Sequence, residues 1–268
     1  MTDFKAKVLD KKLSPFERIT LLMSLLRSPE GCAWDRKQTH KSLLPYLIEE
    51  AYEVVDVIES GRYEDLKEEL GDLLCQVIFH AQLASERGDF DINDSINILV
   101  DKLIERHPHV FGEKKELSPR QVREQWELIK TRADDEKTVL SGLPRSMPAL
   151  TMAFRIGEKA GGVGFDWDNP AEVLQKIDEE VLEIKQELEA APEINKESLT
   201  EEIGDLLFAT ASLARKLDIE PETALRTALD KFRNRFEKLE KRVIGSGSGF
   251  DDYTLEELEN IWQQVKKE

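Results

Sequence analysis

The 268-residue chain has only two cysteines, Cys32 and Cys75, too few and too far apart in sequence for a disulfide framework or a thiolate metal site. No apolar run approaches the ~20 residues of a membrane span, and the opening stretch MTDFKAKVLDKK lacks the apolar core of a secretory signal. Both absences lead us to expect a cytoplasmic protein. Positive charge is also in deficit: the net charge is −17. Such a surface repels nucleic-acid phosphate and anionic membranes, so neither is an expected partner, and a polyphosphate ligand must be met through a cation or a local basic cluster. Histidine is scarce. His40, His80, His107 and His109 supply no Glu-x-x-His pair beside the acids, which argues against a di-iron bundle. The GSGSG stretch at 245–249 reads as a flexible connector, without the lysine of a phosphate loop.

What the chain does have is helical periodicity and acid. Hydrophobic residues make up 40% of it and charged residues 35%, enough apolar content for a real core. Leu66, Leu70, Leu73, Leu74 and Val77 recur at three- and four-residue intervals, as do Leu199, Ile203, Leu206 and Leu207, whereas alternating strand patterns are essentially missing. Breaks are expected at 28–32, 88–94, 107–119, 141–148 and 161–170. The stretch DFDINDSINILV at 89–100 begins like a calcium loop, but Asp94 stands where the glycine belongs and Val100 where the bidentate glutamate belongs.

Laid side by side, the two halves repeat. GCAWD at 31–35 answers GVGFD at 162–166, EEAYE at 49–53 answers EEVLE at 179–183, and EELGDLL at 68–74 answers EEIGDLL at 201–207. DKLIER at 101–106 then matches DKFRNR at 230–235, and WELIK at 126–130 matches WQQVK at 262–266. Five blocks in one order, at an offset near 130 residues, imply a duplicated helical unit. The expected architecture is all-α, two tandem four-helix domains, residues 1–140 and 141–268.

The acids recur with the blocks. Glu50 and Glu53 are three residues apart on one helix, Glu69 and Asp72 on the next, with Glu49 adjacent. An antiparallel hairpin across a turn at 60–63 brings both pairs to one level. A solvated acidic face is the ordinary reading of any single pair. Recurrence of the whole constellation at Glu179, Glu180, Glu183, Glu202 and Asp205 favours a shared pocket instead. Like charges ~4 Å apart repel by about 4 kcal/mol at an effective dielectric near 20, and divalent cations relieve that repulsion. An all-carboxylate ligand set suits Mg²⁺ or Mn²⁺ over zinc or copper.

Tandem E-x-x-E and E-x-x-D motifs on adjacent helices, with GCAWD, ELGDLLCQ at 69–76 and RHPHVF at 106–111, resemble the all-α nucleoside triphosphate pyrophosphohydrolases, and among them the MazG family. The similarity runs from about Ile19 to Lys267. It implies a Mg²⁺-dependent hydrolase cutting nucleoside triphosphates between the α and β phosphates, and a homodimer. On that resemblance Glu180, Glu183, Glu202 and Asp205 hold the metal, and Glu50, Glu53, Glu69 and Asp72 are their first-half counterparts. Glu179 is the candidate to orient or deprotonate the attacking water. Lys231 and Arg235, one helical turn apart, would grip phosphate, with Lys102 and Arg106 their counterparts. Trp262 is a candidate base-stacking surface, with core packing as the alternative. The glycines and aromatics of GGVGFDWD at 161–168 make the C-terminal half the expected main catalytic unit, its role being nucleotide-pool housecleaning. The rival readings are a nucleotide-sensing or partner-binding module without turnover, and a pyrimidine-specific dUTP or dCTP pyrophosphatase.

Overall fold

The computed structural model describes residues 2–112, 116–118, 121–122, 125–126, 129, 138–189, 195–245, 247 and 249–267. Among these residues the regular structure is helical throughout, without a strand. The chain divides into two compact units, Met1–Lys115 and Glu116–Glu268.

The first unit contains α1 (Thr2–Leu9), α2 (Pro15–Arg27), α3 (Ala33–Lys37), α4 (Leu44–Ser60), α5 (Leu66–Arg87), α6 (Ile92–Arg106) and α7 (Pro108–Phe111). Its boundaries follow local chemistry. Ser14 and Glu17 close a reciprocal capping box at the start of α2, with Pro15 supplying a preset φ where no amide donor is needed. Gly61, at φ 71°, ends α4 in the left-handed conformation that costs a glycine least, and Gly88, at φ 76°, does the same for α5. The break expected at 88–94 is shorter in the structure. Asp91 accepts hydrogen bonds from the Asn93 and Asp94 amides, and Asp94 accepts one from the Asp91 amide, so these acids start α6 as its cap. In the core, Met23, Leu43, Ile78, Phe79 and Leu83 bury against each other, with Ile19 and Cys75 at the margin. That arrangement seats α2 on α5, and α4 packs along α5 as a hairpin closed by residues 61–65.

The second unit repeats the plan with α8 (Ala149–Gly162), α9 (Pro170–Glu189), α10 (Lys196–Lys216) and α11 (Pro221–Gly245), followed by a 3₁₀ turn (Phe250–Asp252) and α12 (Leu255–Val265). Here α9 pairs with α10, and α8 packs on α10 as α2 does on α5. Val173, Ala209, Ala211 and Ser212 are buried between these helices. A separate cluster of Leu239, Val243 and Val265 ties α12 to α11, with Trp262 packed on it. The two tandem helical domains read from the repeat are therefore present. The stretch 126–130, half of the fifth block pair, lies partly outside the described residues, as does the 245–249 connector.

Candidate metal-binding carboxylate sites

Each hairpin gathers three carboxylates. In the first unit Glu50 from α4 meets Glu69 and Asp72 from α5, and in the second Glu180 from α9 meets Glu202 and Asp205 from α10. Within each trio one carboxylate oxygen per residue lies within 4.8 Å of those of the other two. Helical spacing explains the convergence: residues three apart share a face, and the hairpin sets that face of one helix against its partner.

The electrostatics agree with crowding. Partial burial, then the charges of Asp72 and Glu53, raises the Glu50 pKa, although a hydrogen bond from Gln76 pulls it back. Glu69 is raised by partial burial and then by Glu53, Glu68 and Asp72. In the second unit Glu202 is raised by partial burial and then by Glu183, Glu180 and Asp205. Glu53 and Glu183 thus act on their trios from the edge. Glu49 and Glu179 are exposed, the latter reaching the site through Lys176.

Lys176, one turn before Glu180 on α9, was not singled out by the sequence reading. Its Nζ lies 2.6 Å from Glu180 Oε1 and 3.2 Å from Glu179. Hydrogen bonding to Glu180 is the main reason its ammonium pKa rises above the usual lysine value. Glu180 is only 2% exposed, and its Oε2 is buried with no hydrogen-bond partner. A buried carboxylate oxygen left without a partner carries a desolvation cost, and a hard cation supplies the missing contact. The donor set and this orphaned oxygen fit Mg²⁺ or Mn²⁺. At the position matching Lys176 the first unit has Tyr46, and among the described residues Glu50, Glu69 and Asp72 have no ion-pair partner.

The loops before the acidic helices differ too. Asp166, in GVGFD, bonds Arg215 at 2.6 and 3.0 Å and Lys216 at 2.7 Å, and Lys216 also donates to the Trp167 carbonyl. Burial works to raise the Asp166 pKa, yet the Arg215 and Lys216 bonds hold it below the ordinary value. Gly157 permits the Arg215 side chain to lie on α8, where an added Cβ would sit 2.5 Å from its Nε. The glycine-rich loop is therefore latched to the end of α10, and it leaves Phe165 83% exposed.

Lys231 and Arg235 lie on α11, Lys102 and Arg106 on α6, and among the described residues none of the four is ion-paired. Among the described residues no hydrogen bond or ion pair joins these cations to the trios. Trp262 packs against Phe232, ring centres 5.1 Å apart, within the cluster joining α11 and α12, which is the packing alternative considered for it.

The MazG nucleotide pyrophosphohydrolase domain matches the chain twice, at residues 38–111 and 168–239, so each match includes one carboxylate trio. The chain is 47% identical over 253 residues to a Thermotoga maritima protein named nucleoside triphosphate pyrophosphohydrolase/pyrophosphatase MazG, covering 94% of this chain and 95% of that one. It is 43% identical over 260 residues to the Escherichia coli K12 nucleoside triphosphate pyrophosphohydrolase, covering 96% and 98%. With the domain matched in both halves and relatives aligned from end to end, this chain belongs to the MazG nucleotide pyrophosphohydrolase family.

Proposed function

We propose that this chain hydrolyses nucleoside triphosphates to the monophosphate and pyrophosphate, with Mg²⁺ or Mn²⁺ as cofactor, and serves to clear unwanted nucleotides. The observation that carries the reading is Glu180: buried, converging with Glu202 and Asp205, and holding one oxygen without a partner. In the second unit Glu180, Glu183, Glu202 and Asp205 would hold the ion, and in the first Glu50, Glu53, Glu69 and Asp72. A bound Mg²⁺ supplies charge neutralisation at phosphate and a more acidic water. Glu179, exposed beside Lys176, orients the attacking water and takes its proton. Lys231 and Arg235 bind phosphate oxygens and provide locally the positive charge that the chain as a whole lacks. Lys102 and Arg106 do the same for the first unit, and the exposed part of Trp262 offers a face to a base.

The test is pyrophosphate release from a panel of nucleoside triphosphates, with and without chelator. Turnover is expected to fall to background in EDTA, and robust turnover there overturns the metal reading. Binding of triphosphate with no pyrophosphate release on any member of the panel would favour a sensing module. A single-nucleotide preference for dUTP or dCTP would narrow the reading to a pyrimidine pyrophosphatase.

We further propose that the chain works as a homodimer and that the repeat boundary falls at 140/141. Leu225, Leu229, Phe232 and Phe236 follow one another along a single face of α11 and are exposed, as are Ile96, Leu99, Val100 and Leu103 on α6. Burying such faces against a second copy extends each small core. Sedimentation at micromolar concentration is expected to give a species of twice 30.8 kDa, and a single 30.8 kDa species refutes the dimer.

A further inference from the structure

The two trios use the same residue types, Glu, Glu and Asp, on the same kind of hairpin. Their surroundings are not the same. In the second unit an ammonium group already lies 2.6 Å from a carboxylate that converges on the trio. It occupies Glu180 Oε1 and leaves Oε2, buried and unpartnered, as the open donor. A divalent ion entering there meets Oε2, Glu202 and Asp205, but with a fixed positive charge bonded to the same carboxylate. Among the described residues of the first unit no such charge lies on the trio: Tyr46 stands at the matching position, its ring edge-on to Trp34 at 5.8 Å. Among the described residues the groups acting on Glu50 are Asp72, Glu53 and the Gln76 amide, with the Cys75 thiol also beside Glu50 and Asp72, and none of these is a cation.

Two consequences of Lys176 oppose each other. It fixes the Glu180 rotamer, which favours ion binding by lowering the ordering cost, and it repels an incoming cation. Glu180 is already held by its burial, so the ordering gain is small, whereas repulsion between an ammonium and a doubly charged ion on one carboxylate is direct. Repulsion decides the sign. An anionic phosphate arriving with the ion reverses that balance, because Lys176 then faces a negative group as well as a positive one.

We propose that Lys176 makes the second cluster the weaker of the two for a free divalent cation, so that this cluster fills together with a phosphate-bearing ligand while the first fills with the ion alone. This inference rests on reading both trios as metal sites. It makes Lys176 a positioning residue of the second cluster.

Mn²⁺ titrated into the full chain without nucleotide, followed by electron paramagnetic resonance of the free ion, tests it. Two classes of site are expected, about tenfold or more apart, the scale on which groups around a metal's ligands alter its affinity. Glu69→Gln with Asp72→Asn should remove the tighter class, and Glu202→Gln with Asp205→Asn the weaker. Lys176→Met should tighten the weaker class about tenfold, and Tyr46→Lys, which gives up the Trp34 edge contact at a 39% exposed position and is therefore checked for unchanged helicity by circular dichroism, should weaken the tighter one. With a triphosphate carrying a methylene between the α and β phosphorus atoms, calorimetry should find Mn²⁺ and ligand strengthening each other at the second cluster, and less so in Lys176→Met. Unchanged or weakened Mn²⁺ binding in Lys176→Met, together with no effect of Tyr46→Lys, overturns the inference and leaves the metal sites standing. Absence of Mn²⁺ binding at either trio overturns the metal reading itself.

Discussion

The first and second units each bring two glutamates and an aspartate together within 4.8 Å, yet they manage the resulting repulsion differently. The second sets Lys176 against Glu180 and buries that carboxylate to 2% exposure, while the first leaves Glu50 half-buried among acids. The preceding loops diverge in parallel. Asp166 is held by two cations of α10, and its counterpart Asp35 has no ion pair among the described residues. In the first unit the loop rests instead on the edge contact of Trp34 with Tyr46 and on the Arg27 guanidinium donating to the Asp35 carbonyl. A duplicated unit can thus keep the convergence of its acids while its electrostatics drift, and convergence alone does not make two copies equivalent.

The largest expected effect separates the copies by activity. Glu202→Gln with Asp205→Asn keeps shape and removes charge from the second cluster, and pyrophosphate release should fall on the order of 10²-fold or more, as when a charge-stabilising group is deleted from an active site. Glu69→Gln with Asp72→Asn should leave most of the turnover. If the first pair spares activity and the second abolishes it, the assignment is reversed, and equal halving means two working sites.

A smaller effect separates the loops by stability. Asp166→Asn loses charge-assisted bonds to Arg215 and Lys216 made by a side chain that is 20% exposed, a cost of about 1.5–3 kcal/mol. Asp35→Asn removes no such bond and should stay within about 0.5 kcal/mol. Urea unfolding of the full chain measures both, and equal costs would show that the Asp166 latch contributes nothing of its own.

The repeat made most of this plan legible. Glu50, Glu69 and Asp72 were readable as partners because their spacing recurs at Glu180, Glu202 and Asp205, and recurrence distinguishes a site from a solvated face. Lys176 was within reach of the same logic, since QKIDEE places it four residues before Glu180, but an i,i+4 Lys–Glu pair is ordinary on helix surfaces and says nothing of burial. The Asp166 latch was invisible because its partners lie 49 and 50 residues away. The glycines of GGVGFDWD pointed to the C-terminal half as the catalytic unit, whereas one of them, Gly161, makes room for the Asp166 carboxylate, and Gly157 on α8 makes room for Arg215. At 89–100 the sequence already departs from a calcium loop at Asp94 and Val100, but that Asp91 and Asp94 cap α6 instead is seen only in the backbone geometry.

The smallest effect concerns pH and bears on both clusters at once. In the metal-free protein Glu50, Glu69 and Glu202 all have pKa values raised above the ordinary 4.5, with partial burial the leading cause and neighbouring acids next. A raised carboxylate is disfavoured in its ionised form by folding, so it subtracts stability at neutral pH. That loss is relieved as pH falls through the raised folded value toward 4.5, the opposite of an ion-paired acid. Glu86, held low chiefly by its hydrogen bond to Arg27, and Asp91, held low by the α6 amides, follow the usual sign and lose stability as pH falls further. The metal-free melting temperature should therefore rise slightly on acidification to just above 4.5 and drop below it. Divalent cation binds the ionised acids, so adding Mg²⁺ should raise the melting temperature at pH 7, release protons and erase the acid-side rise. A melting curve series in which the metal-free protein only loses stability on acidification, with no metal-linked proton release, would count against carboxylates crowded into shared sites in either unit.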